Sequence, residues 1–166
     1  MAVPQKPKPS GKPVMGAPYR IRRAVVADAP ALAVLERACF GDPWAESSFR
    51  EALDTPWTFG LVADDGGRIN GYLIGRDVAG SGEVLNLAVA PGHRRSGIAR
   101  ALLREGLKTL GERGAEEVFL EVRASNSAAI ELYRASGFRP VGVRADYYRN
   151  PREDALVLRL GFTGLA

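Results

Sequence analysis

The chain has 166 residues and a formal net charge of +4, with 46% hydrophobic and 25% charged residues. That length suits one domain able to bury about two-thirds of the surface its unfolded chain exposes. The composition is ordinary for a globular protein. No apolar run approaches the ~18 residues of a membrane span, and the N-terminal lysines precede no apolar core of a secretory leader.

Residues 1–18 hold Lys6, Lys8 and Lys12 and no acid, so most of the net charge sits there. The rest is almost neutral, with 20 basic and 19 acidic residues. A nucleic-acid partner is therefore not expected, because such a partner requires basic surface on the domain itself. The single cysteine, Cys39, rules out an intramolecular disulfide and points to a reducing compartment, the cytoplasm. It lies in the apolar stretch Leu35–Phe40 and reads as a packing residue rather than a nucleophile.

In chain order, residues 1–18 are rich in Pro, Lys and Gly without hydrophobic periodicity, and are expected to form a disordered extension. Met15 offers an alternative start. Residues 19–166 form the domain. Tyr19–Val25 is predicted as a strand. Asp28 suits an N-cap for a helix carrying Leu32, Leu35 and Ala38–Cys39 at helical spacing. A second short helix, Glu46–Leu53, follows the Asp42–Pro43 break. Thr58–Ala63 and Arg68–Arg76 are strands joined across Asp64-Asp65-Gly66-Gly67, a hairpin signal. Glu83–Ala90 is a strand ended by Pro91-Gly92.

Gly97–Arg113 is the clearest helix. Ile98, Leu102, Leu103, Leu107 and Leu110 make its apolar face, Arg100, Arg104 and Lys108 its solvated one, and Gly114 closes it. Glu116–Arg123 is a strand, and Asn126–Ser136 a helix capped by Asn126 and stopped by Gly137. Phe138–Arg144 and Ala155–Leu160 are the last strands. This β-α-α-β-β-β-α-β-α-β-β order predicts an α+β fold, an α/β/α sandwich with a central mixed sheet and helices on both faces.

Three places carry candidate chemistry. The turn Arg94-Arg95-Ser96-Gly97-Ile98-Ala99 opens the long helix. Its first N–H groups have no internal partner and a glycine lets backbone approach a ligand, so it suits a pyrophosphate, with Arg94, Arg95 and Arg100 adding charge. An ordinary basic helix start fits equally well. The turn is neither a G-x-x-x-x-G-K-[ST] loop nor the three-glycine dinucleotide fingerprint.

Glu121 sits mid-strand among apolar residues, where partial burial would bring it toward the working range of a general base. The alternative is a glutamate paired with an arginine on a solvated sheet face. Tyr133, seven residues past Asn126, shares a face with Ile130; it is either core or a proton donor. His93 reads as a solvated loop residue. One histidine and one cysteine, far apart in sequence, supply no metal-ligand cluster, so no metal is expected.

Together these stretches resemble a known family. Leu87-Ala88-Val89-Ala90-Pro91 followed by Arg94-x-x-Gly97-x-Ala99 is similar to the acetyl-CoA signature of the GNAT superfamily of N-acetyltransferases. The run from Leu120 to Tyr133, with Glu121 and Asn126, resembles more narrowly the RimI branch, as do Pro43-Trp44 and Tyr147-Tyr148 with Arg152-Glu153-Asp154-Ala155. The likeness covers Tyr19 to about Leu160. It implies a mostly antiparallel sheet and acetyl-CoA as cosubstrate.

The resemblance also implies roles. Leu87, Ala88 and Val89 would bind the pantetheine arm, and Arg94, Arg95, Ser96, Gly97, Ile98, Ala99 and Arg100 the pyrophosphate, with Asn126 also on the cofactor. Glu121 would be the general base and Tyr133 the general acid. The branch's substrate is the N-terminal alanine of small-subunit ribosomal protein eighteen. The extension 1–18 departs from typical members but does not touch the site. Tyr147 and Tyr148, read as lying between the last two strands, either clasp the acceptor peptide or cover the sheet end, and Pro43 and Trp44 would form the opposite wall. Acetylation of a small amine or a lysine, or acetyl-CoA binding without catalysis, are the competing readings.

Overall fold

The computed structural model describes residues 19–162; the run 1–18, expected to be disordered, lies outside them. The elements follow in the expected order: β1 (Arg20–Arg23), α1 (Ala29–Cys39), α2 (Glu46–Leu53), β2 (Thr58–Asp65), β3 (Arg68–Val78), β4 (Ser81–Val89), α3 (Ile98–Glu112), β5 (Glu117–Arg123), α4 (Ser127–Ala135), β6 (Arg139–Tyr148) and β7 (Glu153–Gly161). The strands form a single seven-stranded sheet in the order β1-β2-β3-β4-β5-β7-β6. Only β4 and β5 are parallel.

The alternation of the central strands sorts side chains to two cores. Leu61, Ala63, Leu73 and Val84 pack on one face with Ile98, Leu102, Leu103 and Leu110 of α3 and Tyr133 of α4. Val62, Tyr72, Ile74 and Ala88 pack on the other with Ala29, Leu32, Ala33 and Leu35 of α1 and Phe49 of α2. Burying both faces removes most of the apolar surface from water, the main favourable contribution to folding.

Three details differ from the sequence reading. Asp28 stands at the N-cap position of α1, but its side chain does not cap the helix. Its carboxylate accepts from the Val25 N–H at 2.8 Å and from both terminal nitrogens of Arg22 at 2.9 and 3.0 Å, while Arg22 Nε reaches Asp64 at 2.8 Å. A short 3-10 turn, Val26–Asp28, therefore precedes α1, whose N-terminal end holds Pro30. Second, β3 and β4 run on through a two-residue turn, Ala79-Gly80, with φ of 51° and 84°. Both residues are left-handed, as the tight hairpin twist requires, and an alanine there gives no turn signal.

Third, β6 extends through Tyr148, so Tyr147 and Tyr148 end a strand rather than lying in a connection. Pairing with β7 is interrupted after Arg144 and resumes at Tyr148↔Glu153. This edge strand is exposed along almost all its length, and its continuation past Arg144 runs through the left-handed Asp146.

The sheet's central feature is a splay. β4 and β5 pair only over Ser81–Val84 and Glu117–Leu120. Against β3, Ile74 faces Asn86 while Gly75 faces Val84, leaving Leu85 as an extra residue. Such a bulge bends its strand and increases its twist. Beyond it β4 stays with β3 as far as Val89, and β5 stays with β7 as far as Arg123. A wedge opens between them, with the unpaired edge of β4 from Leu85 onward as one wall.

Candidate active site

A cleft of about 1130 Å³ fills the wedge. Eight of the residues singled out from sequence line it: Leu87, Glu121, Asn126 and Tyr133, with Pro43, Trp44, Tyr147 and Tyr148 at its outer end. They come from four separate stretches of chain, brought together by the splay. An unpaired strand edge presents N–H and C=O groups to whatever fills the gap, so β4 offers a ladder to an extended amide-bearing chain.

Glu121 is at the end of β5 that turns away from β4. Val118, Leu120 and Val122 are buried on one face, while Glu121 shares the other with Phe119 and Arg123. Its carboxylate is not free: Arg144 Nε of β6 lies 3.0 Å from Oε1. The arginine pairing considered from sequence is thus present, but on a cleft wall rather than an open sheet face.

Tyr133 belongs both to the core and to the cleft. It is 7% exposed and meets Phe138 edge-on, ring centroids 5.8 Å apart. Burial raises its phenol well above the ordinary range, so the hydroxyl stays protonated at neutral pH. Asn126 caps α4, its Oδ1 accepting from the Ala129 N–H at 3.1 Å. The carbonyl end of that amide is thereby committed, and its NH₂ end is the part left to offer donors to the cleft.

The aromatic pair is held from behind. The Tyr147 and Tyr148 rings meet edge-on at 5.0 Å, and the Arg123 guanidinium stacks 4.5 Å from the Tyr148 centroid. Arg123 also donates to the carbonyls of Arg149 and Pro151, each at 2.8 Å. Burial, then the neighbouring Tyr147, pushes the Tyr148 phenol up to about 12. On the facing wall Trp44 leans on Phe49 at 5.3 Å.

The two walls meet. A Cβ on Gly41, in the α1–α2 loop, would overlap the Asn150 carbonyl oxygen of the β6–β7 loop. Glycine is the residue that permits this approach. Gly41→Val should push the loops apart, raising KM for an acceptor several-fold while leaving KM for the acyl donor near native. Equal changes in both constants, measured by initial rates, would show a general disturbance instead.

The basic turn is placed differently. Ala88 and Val89 continue β4 with their side chains buried in the two cores, and Arg94–Arg100 lie past the strand end, outside the cleft lining. Ile98 is buried at 2%, so only its backbone faces outward. Gly97 is the left-handed N-cap of α3, φ 83°, and a Cβ there would meet nothing within 4 Å. Arg95 is also left-handed, at φ 63°. Arg94 folds back, its Nε 3.4 Å from the Val89 carbonyl, while Arg95 and Arg100 are exposed. Such a turn keeps an open helix N-terminus, the usual geometry for binding phosphate.

Sequence reasoning missed Glu36. It is 2% exposed, lines the cleft, and accepts from the Trp44 N–H at 3.1 Å, Asn86 Nδ2 at 2.8 Å and the Tyr72 hydroxyl. Burial raises its pKa, opposed by the bonds from Trp44 and Asn86. It ties the Pro43–Trp44 wall to β3 and β4. The signal was available: Ala29, Leu32 and Ala33 set an apolar helical stripe on which Glu36 falls. Arg144 was missed because nothing local marks it.

Cys39 has its thiol 3.4 Å from the Val89 carbonyl and pushed up by burial, the setting of an inert packing residue. His93 sits in the short 3-10 turn Pro91–His93. Among the described residues no three His, Cys, Asp or Glu side chains cluster as metal ligands, and no helix is long and apolar enough to cross a membrane.

With that geometry in view, residues 29–138 match the acetyltransferase (GNAT) family. The chain is 35% identical over 136 residues to the [ribosomal protein bS18]-alanine N-acetyltransferase of Escherichia coli K12, covering 80% of this chain and 90% of that protein. It is 39% identical over 148 residues to the N-alpha-acetyltransferase RimI of Mycobacterium tuberculosis, covering 86% and 92%. The crystal structure of the ribosomal-protein-S18-alanine N-acetyltransferase from Escherichia coli superposes with a TM-score of 0.80 at 32% identity, over 86% of this chain and 93% of that one.

Proposed function

The chain belongs to the acetyltransferase (GNAT) family, and from that premise we propose that it acetylates the α-amine of a protein N-terminus, using acetyl-CoA, with ribosomal protein bS18 and its N-terminal alanine as substrate. One observation carries this reading: Glu121 and Tyr133 line a single cleft with the unpaired edge of β4 and a pair of tyrosines at its mouth. The names of the relatives in Escherichia coli and Mycobacterium tuberculosis support the acceptor.

The residues present fit acetyl-CoA. The edge of β4 beyond Leu85, unpaired with β5, suits the amides of a pantetheine arm up to Val89, whose carbonyl is already held by Cys39 and Arg94. The open helix start at Gly97, with Arg95 and Arg100 exposed beside it, suits a pyrophosphate. Bound there, acetyl-CoA supplies an acetyl group activated as a thioester.

The chain's own groups then divide the proton transfers. A free α-amino group has a pKa of about 7.7–8.0, so at neutral pH most of it is ammonium and must lose a proton before it can attack. Glu121, directly or through a water, takes that proton. As the amine takes the acetyl group and the thioester C–S bond breaks, Tyr133, which keeps its proton at neutral pH, would deliver it to the departing thiolate. No side chain need form a covalent bond to the acetyl group. Tyr147 and Tyr148 face Trp44 across the mouth and hold the first residues of the acceptor.

The test uses two versions of one short peptide containing lysine, with the N-terminus either free or blocked. Modification of the free peptide at its α-amine is expected, with none on the blocked one, read by mass. Comparable modification of the blocked peptide would overturn the N-terminal reading in favour of a lysine acceptor.

A further inference from the structure

Glu121 has a partner whose presence the catalytic reading does not require. Arg144 places Nε 3.0 Å from Oε1, yet its own side chain is 59% exposed where Glu121 is 25% exposed. The anchored member of the pair is the carboxylate, and the movable one is the guanidinium. Arg144 also lies 5.4 Å from the centre of the Tyr147 ring. Glu121 in turn is the neighbour that does most to hold the Tyr147 phenol above its ordinary value.

This convergence is built by an irregularity in the strand. Arg144 and Tyr147 are three residues apart, so a regular strand would point them to opposite faces of the sheet. Between them the register with β7 is broken and Asp146 is left-handed at φ 52°, its N–H held by the Asp154 carboxylate at 2.8 Å. A bulge re-aims side chains, and here it turns both residues onto one carboxylate in the cleft. The other charged groups nearby are already committed: Arg123 to Glu153, and Glu83 to Arg76.

An acceptor α-amine arrives mostly as a cation, and the carboxylate that must receive it already holds one. We propose that Arg144 is the resting counter-ion of Glu121 and a positioning residue that gives up this contact to the acceptor's α-ammonium. In the resting site it keeps the carboxylate and Tyr147 in place. When the acceptor enters, one cation replaces another, while Arg144, on a solvated strand, swings to water. A neutral amide at the same position gains nothing from the exchange. The carboxylate therefore favours a charged chain terminus over an already acetylated one, and Arg144 tempers the affinity for that terminus by the contact it must give up.

This inference rests on Glu121 being the base, and its test separates the two. Arg144→Met keeps the stem against Tyr147 and removes the charge; Arg144→Lys keeps the charge. With CoA bound to prevent turnover, calorimetry compares a free-amine peptide with the same peptide N-acetylated. In Arg144→Met the free-amine peptide should bind about two- to five-fold tighter, the range an exposed ion pair is worth. The acetylated peptide should bind as before, and Arg144→Lys should resemble the native protein. Equal or weaker binding of the free-amine peptide to Arg144→Met would overturn the proposal. Glu121→Gln tells the failures apart. If it abolishes turnover while Arg144→Met leaves peptide affinity unmoved, only the counter-ion role is wrong; if it turns over normally, the assignment of the base is wrong as well.

Discussion

Tyr133→Phe should lower turnover by about 10²–10⁴-fold, the usual worth of a general acid, with acetyl-CoA affinity close to native. The substitution keeps the ring, its edge-on contact with Phe138 and its place in the core, so the melting temperature is expected to hold. Only the hydroxyl is lost. A purely structural tyrosine would give the opposite pattern, a lower melting temperature with activity per folded molecule intact. Glu121→Gln keeps the shape of the side chain and removes the basic site. Its turnover should fall too, and recover partly at higher pH, where more of the α-amine is already deprotonated. Rates measured from pH 6 to 9 on both variants separate the roles: recovery is expected for the glutamate variant, whose missing function is taking a proton from the amine. Normal turnover in both would place the chemistry elsewhere in the cleft.

Gly97→Glu is expected to abolish acetyl-CoA binding at concentrations that saturate the native protein. A Cβ at Gly97 meets nothing within 4 Å, so there is room for a side chain at the open start of α3, where the proposed function puts the pyrophosphate. The carboxylate brings negative charge to a place arranged for an anion, and the helix dipole would favour the new side chain over the ligand. Strain also contributes, since residues with a Cβ resist the left-handed region that φ 83° represents. Gly97→Asn controls for it, because asparagine tolerates this conformation and adds no charge. Calorimetric binding lost in the glutamate variant and largely kept in the asparagine variant would assign the loss to charge and occupancy. Unchanged affinity in both would remove this turn from the cofactor site.

How much of this was legible beforehand differs from element to element. The order and number of strands and helices followed from periodicity, because each central strand alternates between two apolar cores and α3 carries a single apolar face. The Asp64–Gly67 turn was readable from its two glycines, both left-handed in the hairpin. Glu121 stood out as a carboxylate in an apolar strand, while Tyr133 read as either core or a proton donor and took its role from the family resemblance. Asn126 announced its own capping role.

Other features depend on partners distant in the chain. Glu36 became a tie only when Trp44, Tyr72 and Asn86 converged on it, and the closure of the cleft at Gly41 involves a carbonyl more than a hundred residues away. Arg144 lies on a strand that could be read from sequence, but its partner sits two strands across the sheet and nothing local marks the pairing. By itself, then, the sequence determined the elements, the sheet's two faces and the residue types fit for proton transfer, since these follow from the local spacing of apolar and polar side chains. The tertiary structure alone decided where β4 and β5 part, which walls enclose the cleft and which charge rests on Glu121, because bulges and long-range pairings are fixed by the packing of the whole sheet.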